Sequence, residues 1–148
     1  MDEIQFHGSK GEYGCFSNFA PCPFSFDGKM WPTSEHFFQA QKFAGSDHEE
    51  TIRRTKSPMI AARLGRSRKV RIRKDWESVK VEIMRRALDA KFRQNEPARR
   101  VLLGTGGARI VEHTERDRFW GDGGDGSGRN MLGQLLMELR EKLAEELT

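Results

Sequence analysis

Glu35, Gln39 and Lys42 lie in the run Trp31-Pro-Thr-Ser-Glu-His-Phe-Phe-Gln-Ala-Gln-Lys-Phe43. Offsets of four and seven return to the same side of a helix, so a carboxylate, an amide and an amine share one stripe. Such a stripe is either paired surface polarity or the lining of a cleft. Phe37, Phe38 and Phe43 make this short helix strongly apolar, and a polar stripe within it must point at something. Facing a cleft, the carboxylate can stabilise an oxocarbenium-like sugar or activate water. A lysine of lowered pKa can attack a sugar C1, and Gln39 can hold a ribose hydroxyl.

A second chemical segment is Phe119-Trp-Gly-Asp-Gly-Gly-Asp-Gly-Ser-Gly-Arg-Asn-Met-Leu-Gly133. Its glycines allow close backbone approach, with Gly121 next to the aromatic pair. The segment leads into the last helix, whose N-terminal N–H groups are expected to attract an anion. Asp122 and Asp125 are candidates for ribose hydroxyls or proton transfer, and Trp120 for stacking on a base. The alternative is a plain turn beside a core tryptophan. The pattern is neither a P-loop nor a dinucleotide-binding fingerprint, and two aspartates are too few ligands for calcium.

A third segment, Phe16-Ser-Asn-Phe-Ala-Pro21, sets Asn18 between two phenylalanines, as a turn former or as a reader of a base edge. His7, His36, His48 and His113 show no zinc-ligand spacing with Cys15 and Cys22, which read as two thiols rather than a disulfide. No metal or cofactor is called for.

These side chains need a scaffold, and its signals are local. Ile4–His7, Cys15–Phe19 and Phe24–Phe26 read as short strands or extended loop. Thr33-Ser34 caps a helix running to about Phe43, with Gly45 beyond it. Ser57-Pro58 starts another that stops at Gly65. Asp75 is expected to cap a longer helix to about Asn95, with Trp76, Val79, Ile83, Met84, Ala87, Leu88 and Phe92 on one face. A short helix over residues 97–103, a strand over Arg109–Glu112 and a final helix from about Arg129 follow. The last helix turns Met131, Leu132, Leu135, Leu136, Leu139 and Leu143 inward. The expected class is α+β, mainly helical with a few short strands, in a single domain over residues 1–148.

Composition bounds the partners. Of 148 residues, 36% are hydrophobic and 32% charged, which excludes a disordered chain. No run approaches the roughly 18 apolar residues of a membrane span, and Met1 to Lys10 lacks a signal-peptide core, so a cytoplasmic protein is expected. The net charge is +4, the pI is about 9.3, and Arg63 to Lys74 (RLGRSRKVRIRK) holds many of the cations. That run reads as a solvated face or as an attractor for phosphate or nucleic acid, with Arg66 a candidate phosphate contact.

The motifs Phe16-Ser-Asn-Phe, Trp31-Pro-Thr-Ser-Glu-His-Phe-Phe-Gln-Ala-Gln-Lys-Phe, Leu64-Gly-Arg66, Asp75-Trp76, Leu103-Gly-Thr-Gly, Phe119-Trp-Gly and Asn130-Met-Leu-Gly133 stand in this order along the chain. In that combination the chain resembles the YbiA-like, or NADAR, family over nearly its whole length. The resemblance implies a mostly helical α+β fold and N-glycosidase activity. It implies substrates that are phosphoribosylated amino-pyrimidine intermediates of riboflavin biosynthesis, or ADP-ribose attached to a base. The family's polar positions fall on Glu35, Lys42, Trp120 and Asp122 or Asp125, and a lysine-linked sugar intermediate would use Lys42.

The expected function is therefore hydrolysis of an N-glycosidic bond in a small phosphorylated ribosyl substrate. Glu35 acts on the developing charge or on water, and Lys42 forms an imine or binds phosphate. Trp31 and Trp120 wall the base. Three alternatives stand beside it: removal of ADP-ribose from guanine in nucleic acid, a non-catalytic ADP-ribose or NAD-binding module, and a basic RNA-binding domain.

Overall fold

A computed structural model describes residues 2–148. In chain order the elements are β1 (Glu3–Phe6), a 3₁₀ turn (Gly14–Phe16), β2 (Phe24–Phe26), β3 (Lys29–Trp31), α1 (Ser34–Gln41), α2 (Asp47–Arg53), α3 (Pro58–Gly65), α4 (Trp76–Gln94), α5 (Glu96–Gly104), β4 (Arg109–Glu112) and α6 (Met131–Glu146). The fold is α+β, and the chain forms two compact units, one from Pro21–Asn95 and one from residues 2–20 with 96–148. Among the described residues, no helix is long and apolar enough to cross a membrane.

The Pro21–Asn95 unit begins with a hairpin. Asp27 and Gly28 both adopt positive φ (51° and 80°), the requirement of a two-residue turn whose twist matches paired strands. That turn sets the antiparallel register Phe24↔Trp31 and Phe26↔Lys29. Phe24 and Trp31 face inward and join Phe37, Ala40, Phe43, Ile52, Ala61 and Ala87 in the core. Burying each large side chain stabilises the unit by about 1.5–3 kcal/mol, so three-residue strands are held by what they bury rather than by their ladder.

Helix α1 lies at the centre, packed on α2, α3 and α4. Its N-cap is Thr33, whose hydroxyl accepts from His36 N–H at 3.1 Å. The His36 ring is fully buried, with Nδ1 2.8 Å from Thr33 Oγ1 and Nε2 3.0 Å from the Thr55 carbonyl. A carbonyl only accepts, so Nε2 carries the proton. Burial lowers the His36 pKa and keeps the ring neutral, so His36 is a structural strut. Ser57 caps α3 by accepting from Ile60 N–H, with Pro58 at the first helical position. Asp75 precedes α4 without capping it, because its carboxylate is held by Arg73 at 2.6 Å.

The unit of both chain ends pairs β1 with β4 in parallel, Glu3↔Arg109 to Phe6↔Glu112, and lays α6 on β4. Asn130 joins the parts. Its left-handed backbone (φ 51°) turns the loop into α6, its Oδ1 accepts from Glu112 N–H and its Nδ2 donates to the Ile110 carbonyl, each at 2.9 Å. Gly133 lets the helix approach, since a Cβ there would overlap the Ile110 carbonyl and the Asn130 amide.

Cys15–Phe19 was expected as strand or extended chain but winds into the 3₁₀ turn, closed by Ser17 N–H on the Gly14 carbonyl and Phe19 N–H on Ser17 Oγ. Cys15 and Cys22 are thiols.

Candidate functional site

The face of α1 predicted to carry chemistry exists. Glu35 is half-buried, Gln39 is buried and Lys42 is half-buried. The Gln39 Nε2 donates to Glu35 Oε2 at 2.8 Å. One turn on, Lys42 Nζ donates to the Gly65 carbonyl at 3.3 Å and lies 5.8 Å from the centre of the Trp76 ring. Trp76 is itself braced by Phe38, ring centres 5.0 Å apart. Burial of this ammonium, with Arg66 and Lys80 nearby, lowers the Lys42 pKa below the ordinary lysine value; Glu35 and Glu77 act the other way and do not prevail. The result is an amine readier to lose its proton, beside a carboxylate on the same helix.

The basic run borders this face. Arg73 N–H donates to the Lys42 carbonyl at 2.9 Å, fastening the segment to the end of α1. Of the seven cations from Arg63 to Lys74, Arg73 is neutralised by Asp75, while the other six form no ion pair among the described residues. Elsewhere in this unit Glu50, Glu77 and Glu82 each pair with neighbouring cations. Arg66, the C-cap of α3, is exposed. An irregular, unneutralised stretch of this kind attracts phosphate.

Trp31 is 2% exposed and sits in the aromatic core, its ring edge-on to Phe37 at 5.1 Å. Gln39 is 7% exposed, and its amide nitrogen is engaged by Glu35.

In the other unit the Gly-rich segment uses its carboxylates on itself. Asp117 Oδ1 accepts from Phe119 and Trp120 N–H at 2.9 and 2.8 Å. Asp122 is 4% exposed: Oδ1 accepts from Thr114 N–H (3.1 Å) and Gly124 N–H (2.8 Å), and Oδ2 lies 2.8 Å from His113 Nδ1. Burial would raise the Asp122 pKa, but the His113 bond and the two backbone donors outweigh it and the net shift is downward. The same contact raises the pKa of His113. Both Asp122 oxygens are thus engaged by the loop and by His113. Asp125 is exposed and accepts from Ser127 N–H (2.9 Å) and Oγ–H (2.6 Å).

Gly121 is buried, and a Cβ would run into Thr114 Cγ2 and the Glu112 and Asp117 carbonyls. Its close approach is to its own chain. The expected anion site at the start of α6 is closed, since Met131 and Leu132 N–H donate to the Phe119 and Trp120 carbonyls at 2.9 and 3.0 Å. Trp120 remains half-buried, edge-on to Phe119 at 4.9 Å, and Asn18 is half-buried beside Phe19, which is 36% exposed. Among the described residues, no three His, Cys, Asp or Glu side chains converge as metal ligands would.

Sequence reasoning gave no role to Lys91 and Asn130, which are 0% and 3% exposed. Lys91 falls on the apolar stripe of α4, three residues after Leu88 and beside Phe92, and its signal was a lysine at a core position.

Comparison with known proteins matches the NADAR domain to residues 5–144. The chain is 59% identical to the N-glycosidase YbiA of Escherichia coli (strain K12) over 143 residues, 97% of this chain and 89% of that protein. It is 44% identical to a riboflavin biosynthesis protein of Vibrio vulnificus over 96% of this chain, which spans 39% of that longer protein. The NMR structure of E. coli YbiA superposes with a TM-score of 0.90 at 58% identity, covering 98% of this chain and 86% of that one.

Proposed function

This chain belongs to the NADAR domain family, and from that premise we infer that it is an N-glycosidase, a hydrolase of the bond between a ribosyl carbon and a nitrogen base. Its substrate is a phosphoribosylated amino-pyrimidine of riboflavin biosynthesis, in keeping with the name of the Vibrio vulnificus relative. The observation that carries the reading is the α1 face, where Glu35 is tethered and Lys42 is a partly desolvated amine.

The bond that breaks joins the anomeric carbon to the amino group of the base. As it lengthens, positive charge grows on the sugar, and the Glu35 carboxylate stabilises that charge or takes a proton from the incoming water. In the ring-opened form the substrate is an imine. The free amine of Lys42 adds to its carbon and passes one proton to the substrate nitrogen; the second Lys42 N–H proton follows as that bond breaks, so the amino-pyrimidine leaves as a free amine and a lysine imine remains. Water then adds, freeing the aldehyde of the sugar phosphate and restoring the amine. The unpaired cations around Arg66 take the phosphate, which leaves Lys42 for the carbon centre.

The test is product release from a phosphoribosylamino-pyrimidine and from ADP-ribosylated guanine, with wild type and Glu35→Gln. Cleavage of the pyrimidine by wild type and its loss in the variant are expected. Cleavage of ADP-ribosyl-guanine alone would move the substrate to modified nucleic acid, and binding without turnover of either would replace the enzyme with a binding module.

A further inference from the structure

Gln39 poses a physical question. Its side chain is 7% exposed, its Nε2 donates to Glu35, and its Oε1 is buried without a hydrogen-bond partner. An unsatisfied buried acceptor is unfavourable, and turning the amide over would set its oxygen against a carboxylate, which is worse. The orientation is therefore fixed by Glu35, and the unpartnered oxygen is its consequence.

Gly65 explains how the oxygen is housed. A Cβ on Gly65 would overlap Gln39 Oε1, Cδ and Cβ. Gly65 is the last residue of α3 and has no positive φ, so its bare Cα serves space rather than backbone conformation. The same residue offers its carbonyl to Lys42 Nζ. One glycine thus yields to the side chain that holds the carboxylate and binds the amine.

We propose that Gln39 and Gly65 are positioning residues for the reaction: the Gln39 amide fixes the Glu35 carboxylate, and Gly65 makes room for that amide while anchoring Lys42. A glutamate has three side-chain torsions, and a carboxylate left untethered spreads over rotamers of which few are productive. The proposal rests on the reading of Glu35 and Lys42 as the groups that act on substrate.

Gln39→Met keeps length and apolar volume and removes the donor. It is expected to fold, to lower kcat about 10- to 100-fold, the loss typical of one hydrogen bond to a charged group, and to leave KM within about threefold. Gly65→Ala is expected to lower kcat and the melting temperature together. Adding Gln39→Ala to Gly65→Ala frees the space the methyl needs, so the double variant regains thermal stability but not kcat, a split that a packing role does not produce. By NMR, the Gln39 side-chain amide protons exchange slowly in wild type and faster in Glu35→Ala. Wild-type kcat in Gln39→Met, a raised KM with unchanged kcat, or amide exchange indifferent to Glu35→Ala would each overturn the proposal. Full activity of Glu35→Gln would instead remove the role given to Glu35, and the positioning claim would fall with it even where amide protection showed the contact intact.

Discussion

The α1 face and the Gly-rich segment hold the same kinds of residue, acids beside aromatics and small neighbours, and put them to opposite uses. In the segment from Asp117 to Ser127, three aspartates accept from backbone N–H groups or from nearby side chains, so their charge is spent on the shape of the loop. On α1 the His36 N–H is taken by the Thr33 hydroxyl and the Phe37 N–H by the Thr33 carbonyl, and Glu35 is held by a side chain from the next turn. A short acid in a glycine-rich loop meets bare N–H groups within two or three residues and caps them. A longer acid on a helix cannot reach its own backbone as easily and stays directed outward from the axis. On the proposed function, backbone regularity decides which carboxylates keep their charge for a ligand.

The sharpest way to break this comparison is to neutralise one acid from each side. Glu35→Gln keeps shape and is expected to lower kcat/KM about a thousandfold, within the range of a lost general acid or base, with an unchanged melting temperature. Asp122→Ala is expected to do the reverse. It leaves the Thr114 and Gly124 N–H groups without their acceptor and costs roughly 2–4 kcal/mol of stability, read by chemical denaturation, while molecules still folded keep their activity. Catalytic loss in folded Asp122→Ala would place chemistry in the loop after all.

Much of this was legible in the sequence, and the failures share a cause. Thr33, Ser57-Pro58 and the Arg109–Glu112 strand were readable because caps and short-range patterns are local. Helix α2 was missed because Ile52 is its only buried residue; it rests on an acidic first turn and on Glu50, whose pKa falls to about 2, mainly through Arg53 and then Lys29. Strand β3 was missed because three residues give no period, although Asp27-Gly28 announced the turn. That Glu35, Gln39 and Lys42 share one side of α1 was legible because helical spacing is a property of sequence. Which partners Asp122, Gly121 and Trp31 meet within the fold was not legible, because a ligand and a neighbouring strand ask for the same residue types.

A third expectation sharpens the role of Lys42. Lys42→Met is expected to lower kcat about a hundredfold. In wild type the sign of the pH dependence separates two uses of the amine. A nucleophile must be unprotonated, so kcat rises as pH climbs through the Lys42 pKa, which burial has placed below the ordinary lysine value. A phosphate ligand must be protonated, so KM would rise over the same interval. Stability follows its own sign: the unfolded chain binds the extra proton between the folded value and about 10.4, so unfolding free energy increases with pH across that window.

The smallest expected effect is the most discriminating for the loop. Asp125 is exposed, its partner Ser127 is two residues away, and its pKa is lowered chiefly by that hydroxyl and then by the Ser127 N–H. Asp125→Asn preserves an acceptor at the same place, so the melting temperature is expected to hold within about 2 °C and kcat/KM within twofold. The carboxylate of Asp125 is the one in the segment with open water around it, which makes it the acid there best able to reach a substrate. A tenfold or larger fall in kcat with stability intact would therefore mean that exposure, rather than backbone regularity, sorts catalytic from structural acids in this chain, and the contrast between α1 and the loop would have to be drawn anew.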